Sequence, residues 1–271
     1  MTAPAAFTAV PCTRIRTGCP AEAATRDIAE EIPVNIVFNE LYPYAVMMAS
    51  PCDLEDFARG FALTERIVMT PDSIRDVSVR PAEDGVELHV RIDGADLSRL
   101  MQRGRRAMTG RTGCGICGVD RIEAREHALP QVAADVRVRL GAVRRALDDL
   151  AEHQSLNART HMVHAAAWAS QMGRIELVRE DVGRHNALDK LIGARLRTGA
   201  GFTDGFCVLT SRYSFEMAEK TAIAGMAVVV AISAPTARAL RVAAETGQTV
   251  LAIARPDGQV LFGGAERIVM D

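Results

Sequence analysis

The chemistry this chain can do is concentrated in one octapeptide, Arg111-Thr112-Gly113-Cys114-Gly115-Ile116-Cys117-Gly118, a Cys-x-x-Cys pair set among glycines. Thiolates attack sulfur and bind soft metals, and Arg103, Arg105, Arg106 and Arg111 supply the positive charge that favours thiolate over thiol. Gly113, Gly115 and Gly118 disfavour helix and strand alike, so both thiols are expected on a loop. The other four cysteines read differently. Cys207 falls in the apolar run Phe206-Cys207-Val208-Leu209 and is expected in the core, whereas Cys12 and Cys19 lie in a segment rich in Ala, Thr and Pro. Cys52 follows Pro51 just before an apparent helix cap at Asp53, a packing position more often than a reactive one. Six cysteines scattered through a chain this long do not make a disulfide framework, which predicts reduced thiols.

A second set of polar residues sits where apolar runs give way to helical ones. The segments Arg179-Glu180-Asp181-Val182-Gly183-Arg184-His185-Asn186, Thr210-Ser211-Arg212-Tyr213-Ser214 and Ser233-Ala234-Pro235-Thr236 each have this form. At such junctions of open α/β sheets the free N–H groups of the following helix face anions, so Arg184, His185, Asn186, Ser211 and Ser233 are candidates for holding a phosphorylated ligand. The same residue types are the usual helix caps, and Ser233 with Pro235 is a good cap signal, so both readings stand. His161 and His164 raise a Cys₂His₂ zinc site with the loop thiols. Their spacing lies far outside the zinc-finger pattern, and a glycine-rich loop organises metal ligands poorly.

The elements that must position these groups follow from periodicity and turn residues. After a loose tail over residues 1–25, residues 32–38 and 43–48 read as a hairpin with its turn at Asn39-Glu40. Asp53 is expected to cap a helix running to about Ile67, and two extended segments, 74–80 and 86–92, follow around Glu83-Asp84-Gly85. This makes a small α+β (ββαββ) unit over residues 26–102. Residues 103–130 read as an Arg/Gly-rich linker carrying the thiol loop, and 131–271 as an α/β domain. Within it, helices are expected at 143–152, 164–170, 184–196, 215–225 and 236–246. Strands are expected at 175–179, 206–210, 227–232, 250–254 and 260–262. The nearly continuous apolar run Ala227-Val228-Val229-Val230-Ala231-Ile232 fits a central strand covered on both faces.

Composition bounds the rest. With 271 residues, 48% hydrophobic and 24% charged, the chain can bury one large or two modest cores. A net charge of −2 argues against generic binding to nucleic acid or an acidic membrane, although the arginines before Cys114 remain a local anion patch. No apolar run approaches the roughly 20 residues that span a bilayer, and no basic-then-apolar leader opens the chain, so a cytoplasmic protein is the expectation.

The loop TGCGICG, the segment ART-x-x-VHAAA at 158–167, REDVGRHNALDKLIG at 179–193, and SR-x-SFEM with SAPT at 211–236 together resemble the formate dehydrogenase accessory sulfurtransferase family. The resemblance implies a cytoplasmic homodimer with a layered, cytidine-deaminase-like core. It implies a sulfur carrier that takes persulfide sulfur from a cysteine desulfurase. The acceptor it implies is the molybdenum of bis-molybdopterin guanine dinucleotide, bound as cargo before that cofactor enters formate dehydrogenase. Carried over residue by residue, it makes Cys114 the persulfide carrier, with Cys117 assisting or resolving. It adds Ile253, Ala254, Arg255, Pro256, Asp257 and Gly258 to His164, Arg184, His185, Asn186, Ser211 and Ser233 as cofactor contacts. Deaminases of the related fold place a catalytic Glu two residues after a zinc-ligating His or Cys at a helix start. Here His164-Ala165-Ala166 has alanine there, which disfavours deamination, and no resident metal is expected. Two other readings stay open: a chaperone that binds the cofactor without carrying sulfur, and a zinc-binding structural protein.

Overall fold

The computed structural model describes residues 4–102 and 128–270. Cys114, Cys117 and the arginines around them lie outside the described residues. The chain opens with an antiparallel ribbon, β1 (Phe7–Arg14) against β2 (Glu22–Ala29), so the segment read as a loose tail carries a strand pair. Nearly all its residues are exposed, and the core-facing alternation that reveals a strand in sequence is therefore absent.

The expected ββαββ unit follows as β3 (Ile32–Phe38), β4 (Tyr42–Ala49), α1 (Leu54–Thr64), β5 (Ile74–Ala82) and β6 (Gly85–Ile92). Its sheet has the order β4-β3-β6-β5, with β3 and β6 parallel at the centre. Asp53 precedes α1 in the left-handed region (φ 52°) and makes no side-chain cap, contrary to the expected capping role. After α2 (Gly94–Gln102) the described chain resumes and runs through β7 (Val138–Arg139), α3 (Leu140–Asp149) and α4 (Ser155–Thr160).

The large sheet is built from β8 (His164–Ser170), β9 (Ile175–Asp181), β10 (Gly205–Leu209), β11 (Val228–Ala231), β12 (Thr249–Arg255) and β13 (Gly258–Gly263). Between them run α5 (Arg184–Arg197), α6 (Phe215–Ile223) and α7 (Ala237–Thr246), and β14 (Ile268–Val269) closes the chain against β7. The order is β13-β12-β11-β10-β8-β9. β10, β11 and β12 are parallel, and β8 runs antiparallel to both of its neighbours. This is the layered α/β core expected, with one element changed: residues 164–170 form a strand, not a helix. The alanines Ala165, Ala166, Ala167 and Ala169 suit a helix intrinsically. The fold places them instead on an inner strand buried on both sides, where their small side chains let two layers approach.

Alternation along the central strands divides the core. Trp168, Cys207, Val229 and Val250 face one apolar cluster shared with α1, α5 and the small sheet. Ala167, Val208, Val230 and Leu251 face another under α3. On the first side α1 and α5 cross with backbones in contact. A Cβ on Gly60 would lie 1.8 Å from the Asp189 carbonyl oxygen, and one on Gly193 would lie 1.8 Å from that of Asp56. Charged pairs flank the crossing. Asp56, buried on α1, takes Arg179 at 2.8 Å and Arg197 at 2.7 Å. Lys220 on α6 reaches Asp189 and Thr64, each at 2.8 Å, and Glu65 at 3.2 Å. Burial alone would pull the Lys220 ammonium toward neutrality, and the carboxylates of Asp189 and Glu65 reverse this.

In an ordinary helix interior, Gly→Ala gains about 1 kcal/mol. At Gly60 or Gly193 the added methyl meets backbone, so a loss of about 3 kcal/mol is expected instead, read as a lowered urea midpoint for Gly60→Ala and Gly193→Ala.

Candidate functional site at the strand ends

Because β8 is antiparallel to β9 and β10, its first residue, His164, lies at the same sheet edge as the last residues of β9, β10, β11 and β12. The three polar junctions read from sequence therefore gather along one edge with the 253–258 segment. Their order across it is the β12 turn, Ser233, Ser211, His164, and then Arg184 with His185.

The junction after β9 is organised by a buried carboxylate. Asp181 is fully buried, and its Oδ1 accepts the Gly183 N–H at 2.8 Å and the Asn186 side-chain amide at 3.0 Å. Its Oδ2 accepts the Ser50 N–H at 3.0 Å and pairs with Lys190 Nζ at 2.6 Å. Lys190, also fully buried, donates to the Ser50 and Glu180 carbonyls, and Ser50 Oγ accepts the Val182 N–H at 3.1 Å. This network aims the first turn of α5 and the side chains of Arg184 and His185. It also accounts for Asn186, whose amide donates to Asp181 and to the Met48 carbonyl and is spent inside the protein. Cys52 lies beside it, half-buried, with Sγ 3.9 Å from Lys190 Nζ. Burial pushes its thiol above the usual range despite that ammonium, which fits a packing role. Cys207 is buried in the core as expected, and its thiol is likewise pushed up by burial.

At the next junction, Thr210 Oγ1 accepts the Ala165 N–H at 2.8 Å, joining the end of β10 to the start of β8. Ser211 is buried and donates to the Arg212 carbonyl, and Arg212 itself is exposed. Tyr213 is buried and bridges to Pro235, tying this loop to the one after β11. There Thr236 caps α7 through Oγ1 and the Ala239 N–H at 3.2 Å. Ser233 is not the cap, and its carbonyl instead accepts the Ile253 N–H at 3.2 Å.

Ile253 occupies the left-handed region (φ 52°) within an irregular pairing between Ala252 and Arg255, and its side chain is exposed. A β-branched residue there stores on the order of 1–3 kcal/mol of backbone strain, the kind of outlier that marks a functional turn. Ala254 is buried, and the Arg255 guanidinium donates to the carbonyls of Ile232 and Ala254. Pro256 and Asp257 are exposed and lead through Gly258 into β13.

At the other end of the edge several basic groups act on one another. His164 is held below its usual range by burial and by Arg184, Arg212 and His185, with Asp181 opposing. Arg184 is lowered by burial and by Arg212, with Glu216 opposing. Glu216 Oε2 accepts from Ser214 Oγ at 3.1 Å and lies 3.8 Å from His185 Nε2. Asp181 and Lys190 stood inside quoted motifs without an assigned role, and Ser50 lay outside all of them. Only the fold shows that residues on separate segments meet, although Arg212 and Glu216 stand inside a motif already quoted. His161, in the left-handed region at the end of α4, is exposed. Among the described residues no group of three or more His, Cys, Asp or Glu could hold a metal, and no helix is long and apolar enough to cross a membrane.

Residues 29–269 match the family model described as the FdhD/NarQ family. The chain is 44% identical over 256 residues to a sulfur carrier protein FdhD of Bordetella petrii, covering 94% of this chain and 91% of that protein. It is 46% identical over 241 residues to a sulfur carrier protein FdhD of Xanthomonas campestris, covering 89% and 85%. A crystal structure of a candidate formate dehydrogenase accessory protein from Desulfotalea psychrophila superposes with a TM-score of 0.79 at 25% identity, covering 98% of this chain and 100% of that one.

Asp181→Asn would leave the Lys190 ammonium buried without its counter-charge. The expected loss is about 3–5 kcal/mol of folding stability, measured by chemical denaturation.

Proposed function

Since this chain belongs to the FdhD/NarQ family, we propose that it is a sulfur carrier that serves formate dehydrogenase by sulfurating its molybdenum cofactor. The observation that carries the reading is the extended similarity to sulfur carrier proteins, joined to a Cys-x-x-Cys sequence rich in glycine and arginine. In the proposed reaction the Cys114 thiolate attacks the outer sulfur of a persulfide on a cysteine desulfurase. The donor S–S bond breaks, the desulfurase cysteine leaves as a thiolate, and Cys114 carries the persulfide. Attack by the Cys117 thiolate on the inner sulfur of that persulfide would release sulfide to the soft metal and leave a Cys114–Cys117 disulfide. An external thiol then reopens it.

The cargo in this reading is bis-molybdopterin guanine dinucleotide, held along the strand-end edge with the 253–258 turn as one contact region. The exposed Ile253, Pro256 and Asp257 support it, because they leave an open turn beside the loops after β10 and β11. The working form is proposed to be a cytoplasmic homodimer that meets both the desulfurase and the formate dehydrogenase catalytic subunit.

Incubation with a cysteine desulfurase and cysteine, followed by peptide mass spectrometry, is expected to find one reducible extra sulfur on Cys114. Unmodified loop thiols beside a loaded desulfurase would overturn the carrier role. Cys114→Ala is expected to abolish formate dehydrogenase activation without changing the thermal unfolding of the carrier, and full activation by that variant would count against the mechanism.

A further inference from the structure

Among the described residues, the basic side chains gathered at the His164 end of the edge outnumber the acidic ones that face them. Arg184 starts α5, Arg212 stands just before α6, His164 starts β8, and His185 follows Arg184. Among the described residues two acidic groups face them. Asp181 is already committed to Lys190 and to three N–H donors, and Glu216 accepts from Ser214 and stands near His185. Arg184 Nε and His185 Nε2 are buried with no hydrogen-bond partner among the described residues. Buried donors of this kind cost about 1–3 kcal/mol each when unsatisfied, and like charges held together cost more. His185 and Glu216, in the first turns of α5 and α6, stand 3.8 Å apart, so both helix amino ends add partial positive charge there.

We propose that Arg184 and Arg212, with His164 and His185, form a seat for a phosphate-class dianion, separate from the 253–258 turn. β8 and β12 are three strand spacings apart, so the two regions lie roughly 14 Å from each other along the edge. The identity of the natural ligand rests on the cargo reading, which would place a pyrophosphate of the dinucleotide here, but anion binding does not depend on sulfur chemistry. Glu216 partly neutralises the seat and sets its affinity. The groups facing His164 are Arg184 and His185 from α5, Arg212 from the loop before α6 and Asp181 from β9, with Glu216 of α6 opposite Arg184 and His185. Burial, and after it the cationic neighbours, lower the His164 pKa in the free protein and so disfavour its imidazolium. A bound dianion reverses that field, favours the imidazolium and draws in a proton, so affinity rises as pH falls.

Calorimetry of the full chain with sulfate, which does not titrate in this range, is the direct test, run from about pH 8 to about pH 6 in buffers of differing ionisation enthalpy. Binding with proton uptake is expected, strengthening toward low pH. Arg212→Ala and Arg184→Ala should each weaken it on the order of tenfold. His164→Asn should remove most of the pH dependence, and Glu216→Gln should tighten binding. Arg212 is exposed, so its variant tests the seat without a core substitution. Inorganic pyrophosphate and a nucleoside diphosphate separate the sources. A tighter diphosphate assigns the seat to a nucleotide, equal affinities assign it to a free anion, and both outcomes support it. Sulfate and pyrophosphate failing to bind, or binding unchanged in both arginine variants, would overturn it. Persulfide loading of Cys114 measured on the Arg212→Ala protein reports on the carrier reading separately, because the seat has no part in that step.

Discussion

The Asp181–Lys190 pair is the constraint on which the rest of the molecule depends. Two opposite charges removed from water are tolerated only when geometry and hydrogen bonding compensate both, and here their other contacts go to backbone and amide groups from three segments and to the Cys52 thiol. One contact direction holds the end of β9, another the first turn of α5, and a third the Ser50 connection that leaves the small sheet. The pair therefore sets how the small ββαββ unit sits on the large sheet. It also sets where Arg184 and His185 stand relative to His164.

Around that anchor the two units share one interior. The apolar cluster runs without a break from Ile36 and Leu88 of the small sheet through Phe57 and Phe61 of α1 and Leu188 and Leu191 of α5 to Trp168 and Val229 of the large sheet. Gly60 and Gly193 let the two helices touch, and the buried charges of Asp56, Asp189 and Lys220 find their partners across the crossing. Burying so many ionic groups adds specificity of arrangement more than net stability, since each is costly in any arrangement that separates it from its partner. The strand-end edge inherits that rigidity, so a cluster of like charges can be held open for a ligand.

The strand-end geometry also fits the division of labour proposed for the chain. Parallel strands β10, β11 and β12 deliver successive loops to one edge, and the reversed β8 adds its first residue to it. Polar side chains at that edge fall into two kinds. Asn186, Ser211 and Thr236 help to hold loops together, while Arg212 and Asp257 are exposed and Arg184 Nε is buried without a hydrogen-bond partner among the described residues.

Much of this was legible in the residues themselves. Apolar runs bounded by glycine, proline and polar caps determined the alternation of strands and helices from Ile32 onward, because burial imposes periods of two and 3.6 on any sequence. The same runs located the junctions where ligands gather, and the long motifs carried the family. Tertiary structure alone decided the rest. Residues 164–170 form a strand because pairing with β9 and β10 and burial on both faces outweigh alanine's preference for helix. The ribbon at the start escaped notice because its exposed strands carry no burial pattern. Asn186 and Ser211 read as ligand contacts in one dimension, and only their neighbours in three show that the Asn186 amide N–H groups and the Ser211 hydroxyl donate within the protein. The convergence of His164, Arg184 and Arg212 was likewise hidden, because charge crowding depends on distances in space that separations along a chain do not contain.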